Sequence, residues 1–207
     1  MRAKVNAPLG PVYPSDSVEH LRHDFGNLPV YVVDDAGAEE LNDGLSVEPV
    51  PNEPGSAWIH VHVADPTSVL PLTHVLAQGA RQMGSSAYFI YRTWPMLPPS
   101  LTYGRLSLAS LSQGRKPEPV ITFSFKVDGK GNLADYDVKA GIIRNVTRVD
   151  YDGVDELLRT GSIQLGCPFE ALRNPPATRV PVLETNDIEN IRLIHNLIDI
   201  ESAITRY

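Results

Sequence analysis

The densest chemistry in the chain lies between Val33 and Leu45, where the sequence reads Asp-Asp-Ala-Gly-Ala-Glu-Glu-Leu-Asn-Asp-Gly. Asp34, Asp35, Glu39, Glu40 and Asp43 crowd into this stretch. Asp34, Glu40, Asn42 and Asp43 stand at relative positions 0, 6, 8 and 9. Magnesium prefers oxygen ligands in octahedral array and usually takes a few carboxylates together with water and substrate phosphate. A strand end followed by a compact loop can bring side chains at these spacings to one point. Two such ions, roughly 3.5–4 Å apart, activate an attacking water and stabilise a leaving oxygen. On spacing alone the competing reading is a solvated acidic turn. An EF-hand fails: if Gly44 were its glycine, Glu39 would open the loop and Leu41 would fill a ligand position. The chain has no Gly-rich phosphate loop ending in Lys-Ser/Thr.

A second segment has the opposite character. From Pro66 to Pro117 there is no Asp or Glu, yet Arg81, Arg92, Arg105, Arg115 and Lys116 fall there, with Tyr88, Phe89, Tyr91, Trp94 and Tyr103. Basic side chains interleaved with aromatic rings attract backbone phosphate and stack bases. An acidic loop that holds cations beside such a segment is what a phosphodiesterase needs. The net charge of −7 therefore does not exclude a nucleic-acid partner, because its distribution is uneven.

The elements that must position these groups can be read from pattern. Residues 1–28, rich in Pro and Gly, read as an N-terminal arm or linker, and 29–207 as the domain. Leu28 to Val33 is a strand-sized apolar run, and Gly44 to Val47 suggests its return strand. Ala57 to Ala64 carries strand propensity at Trp58, Ile59, Val61 and Val63. Thr73 is placed to cap a helix running to Met83, stopped by Gly84, with Val75, Leu76, Gly79, Ala80 and Met83 on its apolar face. Val120 to Phe125 alternates, and Asp128-Gly-Lys-Gly-Asn132 marks a hairpin turn. Leu133–Val138 and Ile142–Val149 are expected as the next pair of strands. Near the C-terminus, Asn186 and Glu189 resemble a capping box. Ile188, Ile191, Ile194, Leu197 and Ile198 then recur at helical spacing and need a surface to cover them.

Composition sets the outer bounds. At 207 residues with 42% apolar and 21% charged residues, the chain can bury a substantial core and is not of disordered type. No run reaches membrane-spanning length, so no membrane partner is expected. Met1 to Pro14 has neither a signal core nor the composition of an organelle import helix. The single Cys167 excludes an internal disulfide and reads as a small buried filler. His60 and His62 share one face of a strand, but with no Cys and no third histidine nearby they read as packed, hydrogen-bonded residues rather than ligands. Asp65 reads as a turn residue and His195 as structural.

Several pieces together resemble the ribonuclease II (RNB-domain) family of exoribonucleases. Val33-Asp34 through Asp43-Gly44-Leu45 resembles its acidic signature; His62-Val-Ala-Asp-Pro66 resembles its strand ending in Ala-Asp. Pro95-Met-Leu-Pro98, Leu106-Ser-Leu108 and Arg148-Val-Asp-Tyr-Asp152 follow in family order and spacing. The resemblance implies an α+β, RNB-like fold: a largely antiparallel sheet with packed helices. It implies hydrolytic 3′-to-5′ digestion of single-stranded RNA with Mg2+, releasing nucleoside 5′-monophosphates. It assigns Asp34, Glu40, Asn42 and Asp43 to the catalytic metal cage, and Tyr88, seven residues before the Pro-Met-Leu-Pro segment, to stacking on the terminal base. Arg81, Arg92 and Arg105 are the accompanying RNA-binding candidates. Asp43-Gly44 and the His-rich strand resemble the mitochondrial branch, which implies a mitochondrial location, the alternative being the cytoplasm, and an RNA helicase or other degradosome subunit as partner of the full-length parent.

The sequence departs from the family pattern at Asn42, where an Asp is expected. An amide oxygen still ligates magnesium but brings no charge. The family's domain also runs on to an arginine that contacts the scissile phosphate. The C-terminal part of the domain and the flanking RNA-binding barrels are therefore expected to lie outside these 207 residues. Two readings stand: an exoribonuclease domain impaired by Asn42 and truncation, or a non-catalytic RNA-binding or scaffold protein derived from one.

Overall fold

A computed structural model describes residues 16–38, 40–108, 117–160, 188–192 and 194, with residues 92, 105 and 156–160 described by backbone alone. Glu39, Arg115, Lys116, Cys167 and His195, and the arm before residue 16, lie outside the described residues.

Among the described residues nine strands form: β1 (His23–Asp24), β2 (Pro29–Asp34), β3 (Asp43–Pro49), β4 (Ala57–Ala64), β5 (Ala87–Phe89), β6 (Arg92–Trp94), β7 (Glu118–Val127), β8 (Leu133–Ile143) and β9 (Asn145–Asp150). Seven of them make one sheet in the order β1-β8-β7-β4-β3-β2-β9, while β5 and β6 form a separate hairpin. The β2·β3, β3·β4, β4·β7 and β7·β8 pairs are antiparallel, and β1·β8 and β2·β9 are parallel. The largely antiparallel expectation holds, with two parallel seams added.

Those seams close the sheet. Only Arg144 separates β8 from β9, so strands far apart in the sheet order belong to one nearly continuous segment. Residues 133–150 pair with β7 along one edge and with β1 and β2 along the other, curling the sheet back on itself. The segments expected to pair with each other at 133–138 and 142–149 instead run on end to end. Each finds its partner elsewhere, because the bend at Arg144 turns the second toward β2. From Arg22 onward the expected N-terminal arm belongs to the fold: β1 pairs with Gly141 and Ile142, and Phe25 packs so tightly on Gly141 that a Cβ there would meet its ring at 2.7 Å.

Alternation divides the strands between two cores. Val30, Val32, Val120 and Ile143 point inward with Leu41 and Leu108. Tyr31, Val47, Ala57, Ile59, Val127 and Val149 face outward and are covered by Ile191 and Ile194. Residues 188–192 are helical, and Asn190 donates to the Tyr31 hydroxyl at 3.1 Å. Ile188, Ile191 and Ile194 of the C-terminal apolar stripe thus find a surface on the sheet itself, while Leu197 and Ile198 lie outside the described residues.

Helix α1 spans Val75–Met83 and is capped by His74, whose Nδ1 accepts from the Leu76 amide at 3.2 Å, rather than by Thr73. Gly84 ends it in the left-handed region at φ 76°, as expected. Leu76, Ala77 and Ala80 pack on Leu70, Leu97, Leu101 and Leu106. Val75 and Met83 remain exposed, since a single small cluster covers only part of the apolar stripe. Helix α2, Tyr151–Thr160, follows β9 directly.

Candidate active site

The acidic loop hangs between β2 and β3 at one end of the curled sheet. The register Tyr31↔Leu45 sets the two strand ends side by side, which brings Asp34 near Asp43. Partial desolvation, and then the negative charge of Asp34, raise the Asp43 carboxyl above the ordinary aspartate range. Glu40 has a buried carboxylate oxygen, Oε1, with no hydrogen-bond partner among the described residues. Burying such an atom costs free energy unless something pairs with it. Gly44, one residue into β3, is set by close approach, since a Cβ there would sit 2.8 Å from Val30 Cγ1.

The loop is tethered at three places. The Ala64 amide at the end of β4 donates to the Asn42 carbonyl at 2.8 Å. The Leu108 amide donates to the Leu41 carbonyl at 2.7 Å, and the Leu41 amide donates to Ser107 Oγ at 3.3 Å. Arg148 of β9 donates from Nη2 to the carbonyls of Asp35 and Ala36 at 2.8 and 2.9 Å. Sequence reasoning gave Arg148 no role. Its clue was the Arg-Val-Asp-Tyr-Asp stretch, but the parallel pairing Val32↔Arg148 that places it needs the fold. Beside Asp34 across this seam, Asp150 accepts from the Gly153 amide at 2.6 Å and so caps α2.

The donor set has the chemistry of a hard divalent cation: oxygen atoms only, one of them orphaned, and one carboxylate whose ionisation a neighbour opposes. Among the described residues, however, no three His, Cys, Asp or Glu side chains converge closely enough to hold an ion. Of the four residues that the family resemblance assigns to the metal cage, Asp34, Glu40 and Asp43 carry charge and Asn42 does not.

The basic and aromatic candidates lie on a platform tied to the loop. Tyr88, 72% exposed, pairs with Thr93 across the β5–β6 hairpin, where Arg92 also sits. Arg81 is exposed in the last turn of α1. Arg105 ends the π-helical turn Leu101–Arg105. Leu106 packs under α1, and the next residues, Ser107 and Leu108, carry the hydrogen bonds to Leu41. One short segment therefore connects the aromatic platform to the acidic loop.

His62 is structural, as expected of the histidine pair, while His60 is hydrogen-bonded to Ser124 through Nδ1 only. His62 shares hydrogen bonds with Ser46 Oγ at 2.8 Å and Thr122 Oγ1 at 2.9 Å, and burial depresses its pKa to about 3. Asp65 does more than turn the chain. It accepts from the Thr67 amide and hydroxyl at 2.9 and 2.6 Å and forms a buried ion pair with Arg22 at 2.6 Å. Asp16 pairs with the same guanidinium.

The chain is thus a curled mixed sheet with an acidic loop at one end and a separate hairpin carrying aromatic side chains. The RNB domain profile matches residues 22–200, and the chain belongs to that family. Mitochondrial protein cyt-4 of Neurospora crassa is 34% identical over 153 residues, covering 74% of this chain and 13% of that protein. Exoribonuclease II, mitochondrial, of Schizosaccharomyces pombe is 30% identical over 145 residues, 70% of this chain and 15% of its own length. Ribonuclease R of Thermotoga maritima is 31% identical over 141 residues, 68% of this chain and 19% of its own. The chain thus spans a small part of these relatives. Among solved structures, an active-site mutant of the Dss1 exoribonuclease from Candida glabrata superposes with TM-score 0.67 at 25% identity, over 85% of this chain and 22% of that one. Mycoplasma genitalium RNase R in complex with ribose-methylated single-stranded RNA gives 0.71 at 22% identity, over 91% and 26%. Yeast Ssd1, described as a pseudonuclease, gives 0.62 at 21%, over 73% and 18%. The last two support the fold alone.

Proposed function

We propose that this domain serves a magnesium-dependent hydrolytic exoribonuclease that shortens single-stranded RNA from its 3′ end and releases nucleoside 5′-monophosphates. The observation that carries the reading is the unpaired buried oxygen of Glu40 on a loop where Asp34 also opposes ionisation of Asp43, in a chain of this family. Such a loop is held in a state that a cation would relieve. Asp34, Glu40, Asn42 and Asp43 are the groups that would hold it. Magnesium supplies charge neutralisation at the phosphate and a more acidic bound water.

The protein's own part is positioning. Tyr88 presents an exposed ring for the terminal base, a contact worth about 1–3 kcal/mol per base and tolerant of sequence. Arg81, Arg92 and Arg105 supply positive charge for the backbone leading to it. The names of the fungal relatives make a mitochondrial location the natural one for the parent protein.

A second reading has its own support. Asn42 removes one carboxylate, and no three acids converge among the described residues, which suits an RNA-binding protein that has lost turnover. Digestion of 5′-labelled single-stranded RNA, with magnesium or with EDTA, separates the two. The enzyme reading expects an EDTA-sensitive ladder that strengthens by roughly two or more powers of ten in Asn42→Asp, because the residues of one site act as a unit. RNA binding with no cleavage by either form supports the binding protein.

A further inference from the structure

The far mouth of the curled sheet, away from the acidic loop, contains a second pocket. His23, Phe25, Glu48, Trp58, His60, Ser124, Asp137 and Lys139 line a cavity of about 210 Å³. Asp43 begins β3 and Glu48 lies near its other end, five residues on, so at about 3.3 Å per residue the two sites stand some 16 Å apart along the strand.

Its floor is His60, which is 4% exposed. The ring's Nδ1 lies 2.8 Å from Ser124 Oγ, and its Nε2 is buried with no hydrogen-bond partner among the described residues. The Glu48 carboxylate stands 3.6 Å from Nε2, too far for a hydrogen bond but close enough for both to meet one ligand edge. Burial holds the His60 ring below the ordinary histidine range, so it is neutral near pH 7. Either tautomer satisfies the Ser124 contact, and the one in which Ser124 donates to Nδ1 puts the N–H on Nε2, on the side of the Glu48 carboxylate that favours it. The pocket then presents one donor beside one anionic acceptor. Phe25 stands edge-on to His60, and Trp58 lies parallel to it within 8° at 6.5 Å, giving the cavity aromatic walls. Lys139 is already paired with Asp137 at 2.6 Å, leaving Glu48 as the charge that faces a ligand. That disfavours a phosphate inside and favours a neutral ring with an N–H edge.

We propose that this mouth binds a nucleobase through a lactam edge, a carbonyl beside a ring N–H, with His60 Nε2 donating to the carbonyl and Glu48 accepting from the N–H. Guanine fits best, because its exocyclic amine adds a second donor toward the carboxylate. Hypoxanthine and uracil keep the lactam and lose that donor. Adenine and cytosine present the opposite pattern. The base can come from a free nucleotide or from RNA, since the edge is the same.

Calorimetric titration of the chain in EDTA, which removes any metal-dependent binding at the acidic loop, tests this. GMP should bind more tightly than IMP and UMP, and AMP and CMP should bind at least tenfold more weakly than GMP. Glu48→Ala, at a largely exposed position whose fold is checked by circular dichroism, should weaken GMP about 10- to 100-fold, the range for a lost hydrogen bond to a charged group. Binding of a guanine-containing oligonucleotide that Glu48→Ala weakens, without binding of GMP, assigns the source to RNA; Glu48-dependent binding of both assigns it to the nucleotide. Equal binding of AMP and GMP, indifference to Glu48→Ala, or no binding of GMP or the oligonucleotide at millimolar concentration overturns the proposal.

Discussion

The acidic rim and the interior network around His62 and Asp65 are built from the same part of the sheet yet treat their polar atoms in opposite ways. Inside, His62 has a hydroxyl on each ring nitrogen, and Asp65 has a guanidinium, an amide and a hydroxyl. At the rim, a Glu40 oxygen is buried without a partner and Asp43 is crowded by Asp34. Satisfied polar groups in an interior stabilise and specify a fold, whereas buried groups left wanting a partner mark a place where something else binds. The difference separates His62 from the acids and groups His60, whose Nε2 is also buried without a partner among the described residues, with Glu40.

That contrast can be broken at its strongest point first. Asp65→Ala removes a partner of the buried Arg22 and should cost about 3–5 kcal/mol in denaturant unfolding. A cost under 1 kcal/mol would place the interior network on the same footing as the rim. Next comes acid sensitivity. Because His62 is depressed to about 3 in the fold and titrates near 6.5 when unfolded, the unfolded chain binds the extra proton between those values. Stability should therefore be fully present above about pH 6.5 and decline as pH falls toward 3, by a few kcal/mol in all. His62→Asn should flatten that slope in urea midpoints measured at pH 7.5 and 4.5.

Smaller effects sharpen the comparison. Gly44→Ala pushes a methyl against Val30 and should cost about 1–3 kcal/mol, read as a lowered urea midpoint. Tyr88→Ala should weaken single-stranded RNA binding by about 1–3 kcal/mol while leaving the melting temperature unchanged, since the ring is exposed. The smallest effect has the opposite sign. The folded state of the metal-free protein holds a proton on Asp43 more tightly than the unfolded chain does. Its contribution is thus lost as pH rises through the raised pKa, and Asp43→Asn should stabilise the metal-free fold at pH 7. Solvent screening keeps this gain to a fraction of a kcal/mol. Destabilisation by Asp43→Asn would mean the rim is built for stability after all.

Local pattern made much of the architecture legible. Strand β4 matches its sequence reading residue for residue, and the glycine stop of α1 and the Asp128–Asn132 turn fall where expected. The acid spacing was equally readable, whereas the exposure of Tyr88 came only with the fold. The cap of α1 was misplaced by one residue, because His74 can accept an amide proton through Nδ1 as Thr73 would through its hydroxyl. The course of 133–150 was misread for a different reason: an alternating strand declares its faces but not its neighbours.

Side-chain order along the chain settled the strand identities, the oxygen-rich loop and the basic, aromatic segment after it, because these depend on interactions within a few residues. Closure of the sheet, the parallel seam that carries Arg148 to the carbonyl of Asp35, 113 residues away in sequence, and the pairing of both His62 nitrogens came only with the fold. Each is a choice of register between distant segments, and it is decided by which faces can be buried together rather than by any local preference.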